Sequence, residues 1–161
     1  MPIPGYLWMK DSQGNDIKSI VKVKGREGSA EIYAFHHEVY IPTDAHTGNL
    51  SGTRKHRPFT VIKQFCSATP VLNKACCSGQ TLQEVRLSWY RIDDTGKEQE
   101  YLRHTLTHAK VVSVKPLVND VKNKAKEHYA HLEEVQFRYE KIRWEYLDGN
   151  IAAEDTWTER S

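Results

Sequence analysis

Cysteine is scarce in this sequence, and its pattern excludes a disulfide-stabilised secreted fold. Among 161 residues there are three cysteines, Cys66, Cys76 and Cys77, and the last two are adjacent. An odd number leaves one cysteine unpaired, and adjacent cysteines seldom bridge because the ring that they close is strained. Reduced thiols, as in cytoplasmic proteins, are therefore expected.

Long hydrophobic runs are absent as well. No segment of the sequence approaches the run of about 20 apolar residues that a membrane-spanning helix requires. The apolar run near the N-terminus is too short for a signal peptide and lacks the basic residues that precede one. The sequence therefore predicts no membrane insertion and no export by the ordinary secretory route.

The chain also lacks an excess of charge of either sign. Lysine and arginine total 23 and aspartate and glutamate total 21, which gives a net charge of +2. Binding to phosphate backbones requires a concentrated basic excess, so nucleic acid is not expected as the main partner. Hydrophobic residues make up 39% of the sequence. The length and this fraction predict one folded domain over residues 1–161.

Motifs that identify enzymes and metal sites are missing too. The sequence contains no nucleophile elbow, phosphate-binding loop or dinucleotide fingerprint. His104 and His108 are four apart, which on a strand separates them by about 13 Å, too far to share a metal. No cofactor or metal is therefore predicted. A cysteine beside a histidine would make a nucleophile pair, although packing of Cys76 as a small hydrophobe is favoured.

What the sequence does contain is alternation of apolar and polar residues, the pattern of half-buried strands. The pattern occurs in eight segments, residues 6–10, 17–24, 30–41, 59–65, 82–91, 101–107, 109–115 and 132–146. Within residues 132–146 the apolar face shifts by one residue, which indicates a bulge or bend that lets one strand serve two sheets. Residues 148–150 are expected to form a turn, followed by a tail containing Trp157. The prediction is a mostly β fold, a β-barrel of two packed antiparallel sheets.

One short helix should flank the barrel, at about residues 70–78, from Pro70 to Ser78. Thr69 is a suitable N-cap, Pro70 suits the first helical position, and Gly79 provides a C-terminal stop. The apolar side chains at helical spacing should face the sheet; these are Val71, Leu72 and Ala75.

The longest segment without any period is residues 42–58, which begins with Pro42 and ends with Pro58; we call it the arm. It contains one large aliphatic residue, Leu50, and two glycines. Compact domains rarely keep so long a connection without a use for it. From composition alone, a slack surface loop and an arm that reaches beyond its own domain remain equally open.

Several short motifs occur along this chain in a particular order. They are Gly5-Tyr6-Leu7, Pro42-Thr43-Asp44, Thr47-Gly48, Ser51-Gly52-Thr53-Arg54, His56-Arg57-Pro58-Phe59, Leu87-Ser88-Trp89-Tyr90-Arg91 and Arg138-Tyr139-Glu140-Lys141-Ile142-Arg143-Trp144-Glu145. With this order and spacing, the chain resembles the Hcp family, the tube proteins of the bacterial type VI secretion system, from residue 5 to about Trp157. The cysteines around residues 65–77 depart from the family pattern, so the resemblance assigns the thiols no role.

The resemblance implies a β-barrel with a short helix and no catalysis. It also implies hexameric rings that stack into a hollow tube, which a contractile sheath expels behind a spike of the VgrG type. Effector proteins would be carried in the lumen. The subunit would assemble in the cytoplasm and then be secreted without a cleaved signal peptide.

We expect the arm to make the contacts between subunits and rings, because the stacking of one ring on another needs a segment that projects along the ring axis. The residues expected to make these contacts are Thr43, Asp44, Thr47, Gly48, Ser51, Arg54 and His56. Two alternatives remain: a small cysteine-dependent hydrolase, and a monomeric barrel that binds one small ligand, as lipocalins do.

Overall fold

Apolar residues at every second position place most of the chain in strands, and the computed structural model describes residues 2–157. Ten strands lie in that range: β1 Gly5–Lys10, β2 Ala30–His36, β3 Val39–Tyr40, β4 Lys55–His56, β5 Phe59–Gln64, β6 Thr81–Ile92, β7 Glu98–Leu117, β8 Leu132–Arg138, β9 Lys141–Tyr146 and β10 Ile151–Thr156. One α-helix, α1, spans Thr69–Ser78, and one 3-10 turn spans Lys124–Lys126. Within the described residues, no helix is long and apolar enough to cross a membrane.

Eight of the strands form one antiparallel sheet in the order β10-β9-β7-β6-β1-β2-β5-β8. The sheet closes because β7 also pairs with β8. The predicted β-barrel with one flanking helix is therefore confirmed, and the packed sheets are continuous with each other through β7. Strands β9 and β10 extend the sheet beyond the closure, while β3 and β4 form a separate pair at the start and end of the arm.

Strand β7 is long and bent, and it contains two segments that the sequence pattern predicts as separate strands. Residues 101–107 and 109–115 were predicted as two strands, but they are one strand that turns at His108, where φ is +51°. The first part of β7 pairs with β9 and the second with β8. The predicted bend in residues 132–146 is confirmed at Tyr139 and Glu140, opposite His108, where β8 ends and β9 begins. There the Glu140 N–H donates to the Thr107 carbonyl at 3.2 Å.

The inside of the barrel is filled by side chains. The fully buried residues include Phe59, Val61, Leu87, Leu106, Val135, Phe137 and Ile142. A barrel interior occupied by buried side chains is typical of small barrels that serve as a packed core. The barrel is therefore a solid scaffold for what projects from it.

Helix α1 confirms the prediction in position but differs in two details. Its N-cap is Ala68 rather than Thr69, because the Thr69 hydroxyl accepts the Cys66 N–H at 3.0 Å and donates to Glu133 at 2.9 Å. Gly79 adopts a φ of +66° and ends the helix as expected. Leu72 and Ala75 face the core, whereas the prediction for Val71 was wrong because this side chain is 43% exposed.

Three further segments differ from the prediction. Residues 17–24 are not a strand: Ile17 packs into the core, and the segment that follows bonds across its own loop, with Ser19 N–H donating to Gly28 at 2.9 Å. The predicted strand 30–41 stops at His36, after a register shift between Ile32 and Ala34. The predicted tail begins with strand β10, and its residues 158–161 lie outside the described range.

Candidate functional site

The arm is an ordered hairpin that projects from the barrel. At its base β3 and β4 pair in the register Val39 with His56 and Tyr40 with Lys55. Further out, Thr43 and Leu50 form an isolated bridge, and the Ser51 N–H donates to the Pro42 carbonyl at 2.9 Å. The sequence missed this pairing because strands of two residues are too short to show alternation. The arm therefore has a defined shape, unlike a slack loop.

Hydrogen bonds of one carboxylate shape the tip of the arm. Asp44 accepts the backbone N–H groups of His46 at 2.7 Å and Thr47 at 3.0 Å. These two hydrogen bonds lower the pKa of the Asp44 carboxyl below its ordinary value. The Gly48 N–H donates to the Asp44 carbonyl at 2.9 Å, and Gly48 has a φ of +73°, which favours glycine. Asp44 and Gly48 thus hold the turn in one conformation.

The base of the arm is fastened to strand β10 through one aspartate. Arg54 Nε donates to Asp155 Oδ2 at 2.5 Å, and Arg54 Nη2 donates to the Thr156 carbonyl at 2.8 Å. His56 Nε2 lies 2.6 Å from the same Asp155 oxygen. The hydrogen bond from Arg54, with that from His56, lowers the pKa of the Asp155 carboxyl. The two arm residues and this carboxylate therefore form one charged network.

Tyr139 extends this network into the barrel. Its hydroxyl lies 2.6 Å from His56 Nδ1 and 2.8 Å from His37 Nε2. Burial raises the pKa of Tyr139, and burial together with the nearby His56 lowers the pKa of His37 to about 4, so both groups are uncharged near neutral pH. An ionised carboxylate only accepts hydrogen bonds, so His56 Nε2 donates to Asp155, and the Tyr139 hydroxyl links His56 and His37 into the same hydrogen-bonded chain.

The seven residues predicted for the site fall into two groups. The side chains of Thr43, Asp44, Thr47 and Ser51, with Gly48, lie on the exposed outer part of the arm. Arg54 and His56 instead contact their own barrel, and His56 is only 4% exposed. The structure thus groups the first five at the tip, where another molecule could reach them. It places the last two at the base of the arm, where they bond to Asp155; we call Arg54, His56 and Asp155 the anchor.

Sequence reasoning missed the partners that hold Arg54 and His56. Tyr139 and Asp155 lie 83 and 99 residues from His56 along the chain. No spacing rule connects positions so far apart, and Asp155 was assigned to a tail. A matched pattern of covariation between distant positions is the kind of signal that would have found them.

Apolar side chains on the arm and on the residues that lead into it are exposed to solvent. Leu50 is 68% exposed at the tip, and Ile41 and Val39 near the base are 44% and 42% exposed. Exposed apolar residues held on a rigid projection are typical of surfaces that contact another protein. Together with the closed barrel, they define the class of this molecule as a small, mostly β barrel protein with a projecting hairpin.

Comparisons with known proteins identify the family. The family model described as "Type VI secretion system effector, Hcp" matches residues 6–146. The "Major exported protein" of Pseudomonas aeruginosa is 33% identical over 155 residues, which cover 96% of this chain and 87% of that protein. The chain therefore belongs to the Hcp family of type VI secretion system proteins. This is a family of structural secreted proteins and not of enzymes.

Solved structures agree in both fold and sequence. A mutant of the Hcp1 protein from the E. coli EAEC 042 pathovar is 49% identical, with a TM-score of 0.87, over 96% of this chain and 99% of that one. The secreted protein Hcp3 of Pseudomonas aeruginosa is 28% identical, with a TM-score of 0.77, over 97% of this chain and 99% of that one.

Proposed function

We propose that this protein is the tube subunit of a type VI secretion system. Six copies form a ring, and the rings stack into a hollow tube that a contractile sheath expels from the cell. The observation that carries this proposal is the arm, an ordered hairpin with an exposed tip and an anchored base. The solid interior and the membership of the Hcp family support a structural role over ligand storage or catalysis.

The arm is suited to join one ring to the next. Its tip is held rigid by the Asp44 turn, so little conformational entropy is lost when it meets a partner. Leu50 provides apolar contact area, while Thr43, Thr47 and Ser51 provide hydrogen-bonding groups. Arg54 and His56 set the angle at which the hairpin leaves the barrel. In this proposal the tip residues contact the neighbouring ring, and Arg54 and His56 act within their own subunit.

The lateral contacts of a ring need two different surfaces on each subunit, because a closed ring of more than two copies is heterologous. Strand β10 is the free edge of the sheet, and Ile151 at its start is 66% exposed. A free edge with an exposed apolar side chain favours pairing with another chain. We assign this edge to one side of the ring interface.

Further partners follow from the same role. The tube would contact sheath proteins on its outside, a spike of the VgrG type at its tip and effector proteins in its lumen. Rings would assemble in the cytoplasm, and the protein would then be secreted.

Replacement of the arm tip tests the proposal. Thr43 and Leu50 are bridged, so exchange of residues 44–49 for Asn-Gly closes the hairpin with a two-residue turn that suits antiparallel strands. Electron microscopy should show separate rings and few or no tubes, while the unfolding midpoint in urea stays unchanged. A matched control replaces residues 94–96 of the β6–β7 hairpin by Asn-Gly. Tubes as abundant for the arm variant as for the parent would refute the role of the arm.

A further inference from the structure

A buried lysine lies against a cysteine at the end of the barrel beneath helix α1. Lys63 of β5 and Glu133 of β8 are both fully buried and form an ion pair through Lys63 Nζ and Glu133 Oε1. The same ammonium group lies 3.2 Å from Cys66 Sγ and 3.4 Å from the Gln64 carbonyl. The ion pair accounts for Lys63 and Glu133, but it does not require a thiol beside them.

The backbone and Thr69 hold the thiol in this place. The Thr69 hydroxyl accepts the Cys66 N–H at 3.0 Å and donates to Glu133 Oε1 at 2.9 Å, and the Thr69 N–H donates to the Cys66 carbonyl at 3.1 Å. Within the described residues, Glu133 Oε2 is buried without a hydrogen-bond partner. One carboxylate oxygen beside the lysine is therefore free to receive a proton.

The thiol belongs to a partly exposed residue, and its surroundings favour the thiolate. Cys66 is a free cysteine that is only partly buried, so a molecule as small as hydrogen peroxide can reach it. Burial alone would raise the pKa of the Cys66 thiol, but the nearby Ser19 hydroxyl and the Lys63 cation outweigh burial and lower it. Thiolates are the form that peroxide oxidises, so Cys66 is favoured for oxidation.

From this arrangement, we propose that Lys63 and Cys66 are an oxidative modification site at which peroxide links the two side chains covalently. The Cys66 thiolate first attacks hydrogen peroxide; the O–O bond breaks, a sulfenic acid forms, and hydroxide leaves and takes up a proton to become water. Lys63 transfers a proton to Glu133, and its amine then attacks the sulfur. The S–O bond breaks, an S–N bond forms, and a second water leaves. One peroxide is reduced by two electrons, and the linked residues have lost two hydrogens.

Peptide mapping of the folded protein tests the link. Cys76→Ser and Cys77→Ser leave Cys66 as the sole thiol, and the protein is treated with hydrogen peroxide and digested without reductant. The link should lower the mass of the peptide by about 2 Da relative to the reduced residues. It should also block trypsin at Lys63, so that one peptide runs from His56 to Lys74. A phosphine or thiol reductant should restore cleavage.

A matched control is Lys63→Arg, which keeps a cation against Glu133 but offers a guanidinium that does not lose its proton. In this variant Cys66 should pass to the sulfinic acid, about 32 Da heavier, without a link. The parent protein oxidised in concentrated guanidinium chloride gives a second control that needs no substitution, because unfolding separates the two side chains. Two results would overturn the proposal. In the first, the folded protein with Cys66 as its sole thiol gives the sulfinic acid while trypsin still cuts at Lys63. In the second, the unfolded chain forms the link between Lys63 and Cys66 as efficiently as the folded protein.

Discussion

At the scale of single residues, Asp155 determines how the arm is attached. It accepts hydrogen bonds from both Arg54 and His56, and its side chain is only 24% exposed. A carboxylate in this position balances the arginine charge and orients the imidazole at once. The sequence offered no sign of it, because its two partners lie about a hundred residues earlier in the chain.

Asp155→Asn should therefore loosen the arm and destabilise the fold. The substitution removes a charge-assisted hydrogen bond to Arg54 and one acceptor for His56, so the free energy of unfolding should fall by about 1–3 kcal/mol. Urea denaturation measures the change. Asp148→Asn is the matched control, because Asp148 pairs with Arg91 at an exposed site and should cost less than about 0.5 kcal/mol. Equal losses for the two variants would contradict the role given to Asp155.

Two histidines, the buried His104 and the half-buried His37, predict how stability depends on pH. Burial, with the nearby His56, lowers the pKa of His37 to about 4, and burial, with the nearby His37, lowers that of His104 to about 4 from 6.5. Between pH 6.5 and about 4 the unfolded chain thus binds protons that the folded chain does not, so stability present above pH 6.5 is lost as the pH falls. Each of the two histidines should account for a loss on the order of 3 kcal/mol.

His37→Gln separates this effect from other acid-sensitive groups. Glutamine can still donate to the Tyr139 hydroxyl, which His37 approaches at 2.8 Å, but it does not titrate. The slope of unfolding free energy against pH, measured by urea denaturation between pH 6.5 and 4, should fall by about half. His46→Gln, on the exposed arm and away from the Tyr139 hydroxyl, serves as the control for replacing a histidine by glutamine. If His37→Gln left the slope unchanged, proton uptake at His37 would not be its source.

At the scale of elements, the bend of β7 determines how the barrel closes. His108 adopts a φ of +51°, which turns the strand so that β9 pairs before the bend and β8 after it. The imidazole Nδ1 lies 2.7 Å from Glu140 Oε2 in the opposite bend. Two bends facing each other let β7 pair with β9 before the bend and with β8 after it, so that one sheet closes on itself.

His108→Val should test whether this conformation is strained. A β-branched residue tolerates the left-handed region poorly, so the variant should lose about 1–2 kcal/mol of stability in urea denaturation. His108→Asn serves as the control, since asparagine adopts this region more readily and also lacks the imidazole contact with Glu140. Equal losses in both variants would assign the cost to the lost contact rather than to the backbone.

Elements differ in how far the sequence could predict them. The long alternation of β6 and the stop at Gly79 are local signals, so that strand and the end of α1 were predicted. Apolar and polar residues alternate in residues 17–24 as well, but alternation alone does not make a strand, which also needs a neighbouring strand to pair with. The backbone of this segment forms its hydrogen bonds within its own loop instead. The anchor could not be predicted, because His56 and Asp155 meet only through the tertiary fold. Local pattern thus determined elements, and long-range contacts determined the site.

At the scale of the whole molecule, two features offer surfaces through which copies could associate. Within the described residues, β10 is an edge of the closed sheet that no strand covers, and the arm is a second projection whose own pairing is complete. If the β10 edge joins subunits within a ring and the arm joins one ring to the next, substitutions at the two places should block assembly at different stages.

Ile151→Asp places a charge on the exposed edge of β10 and should abolish rings as well as tubes. Ile151 is 66% exposed in the single chain, so the substitution should change the free energy of unfolding by less than about 0.5 kcal/mol. Light scattering should give the mass of a monomer, whereas the variant with a shortened arm should keep the mass of the ring. Ile92→Asp is the control, because Ile92 is 63% exposed but lies at the end of β6. Intact rings for Ile151→Asp would show that another surface joins the subunits. Loss of rings in the variant with the shortened arm would show that the arm is part of the ring interface.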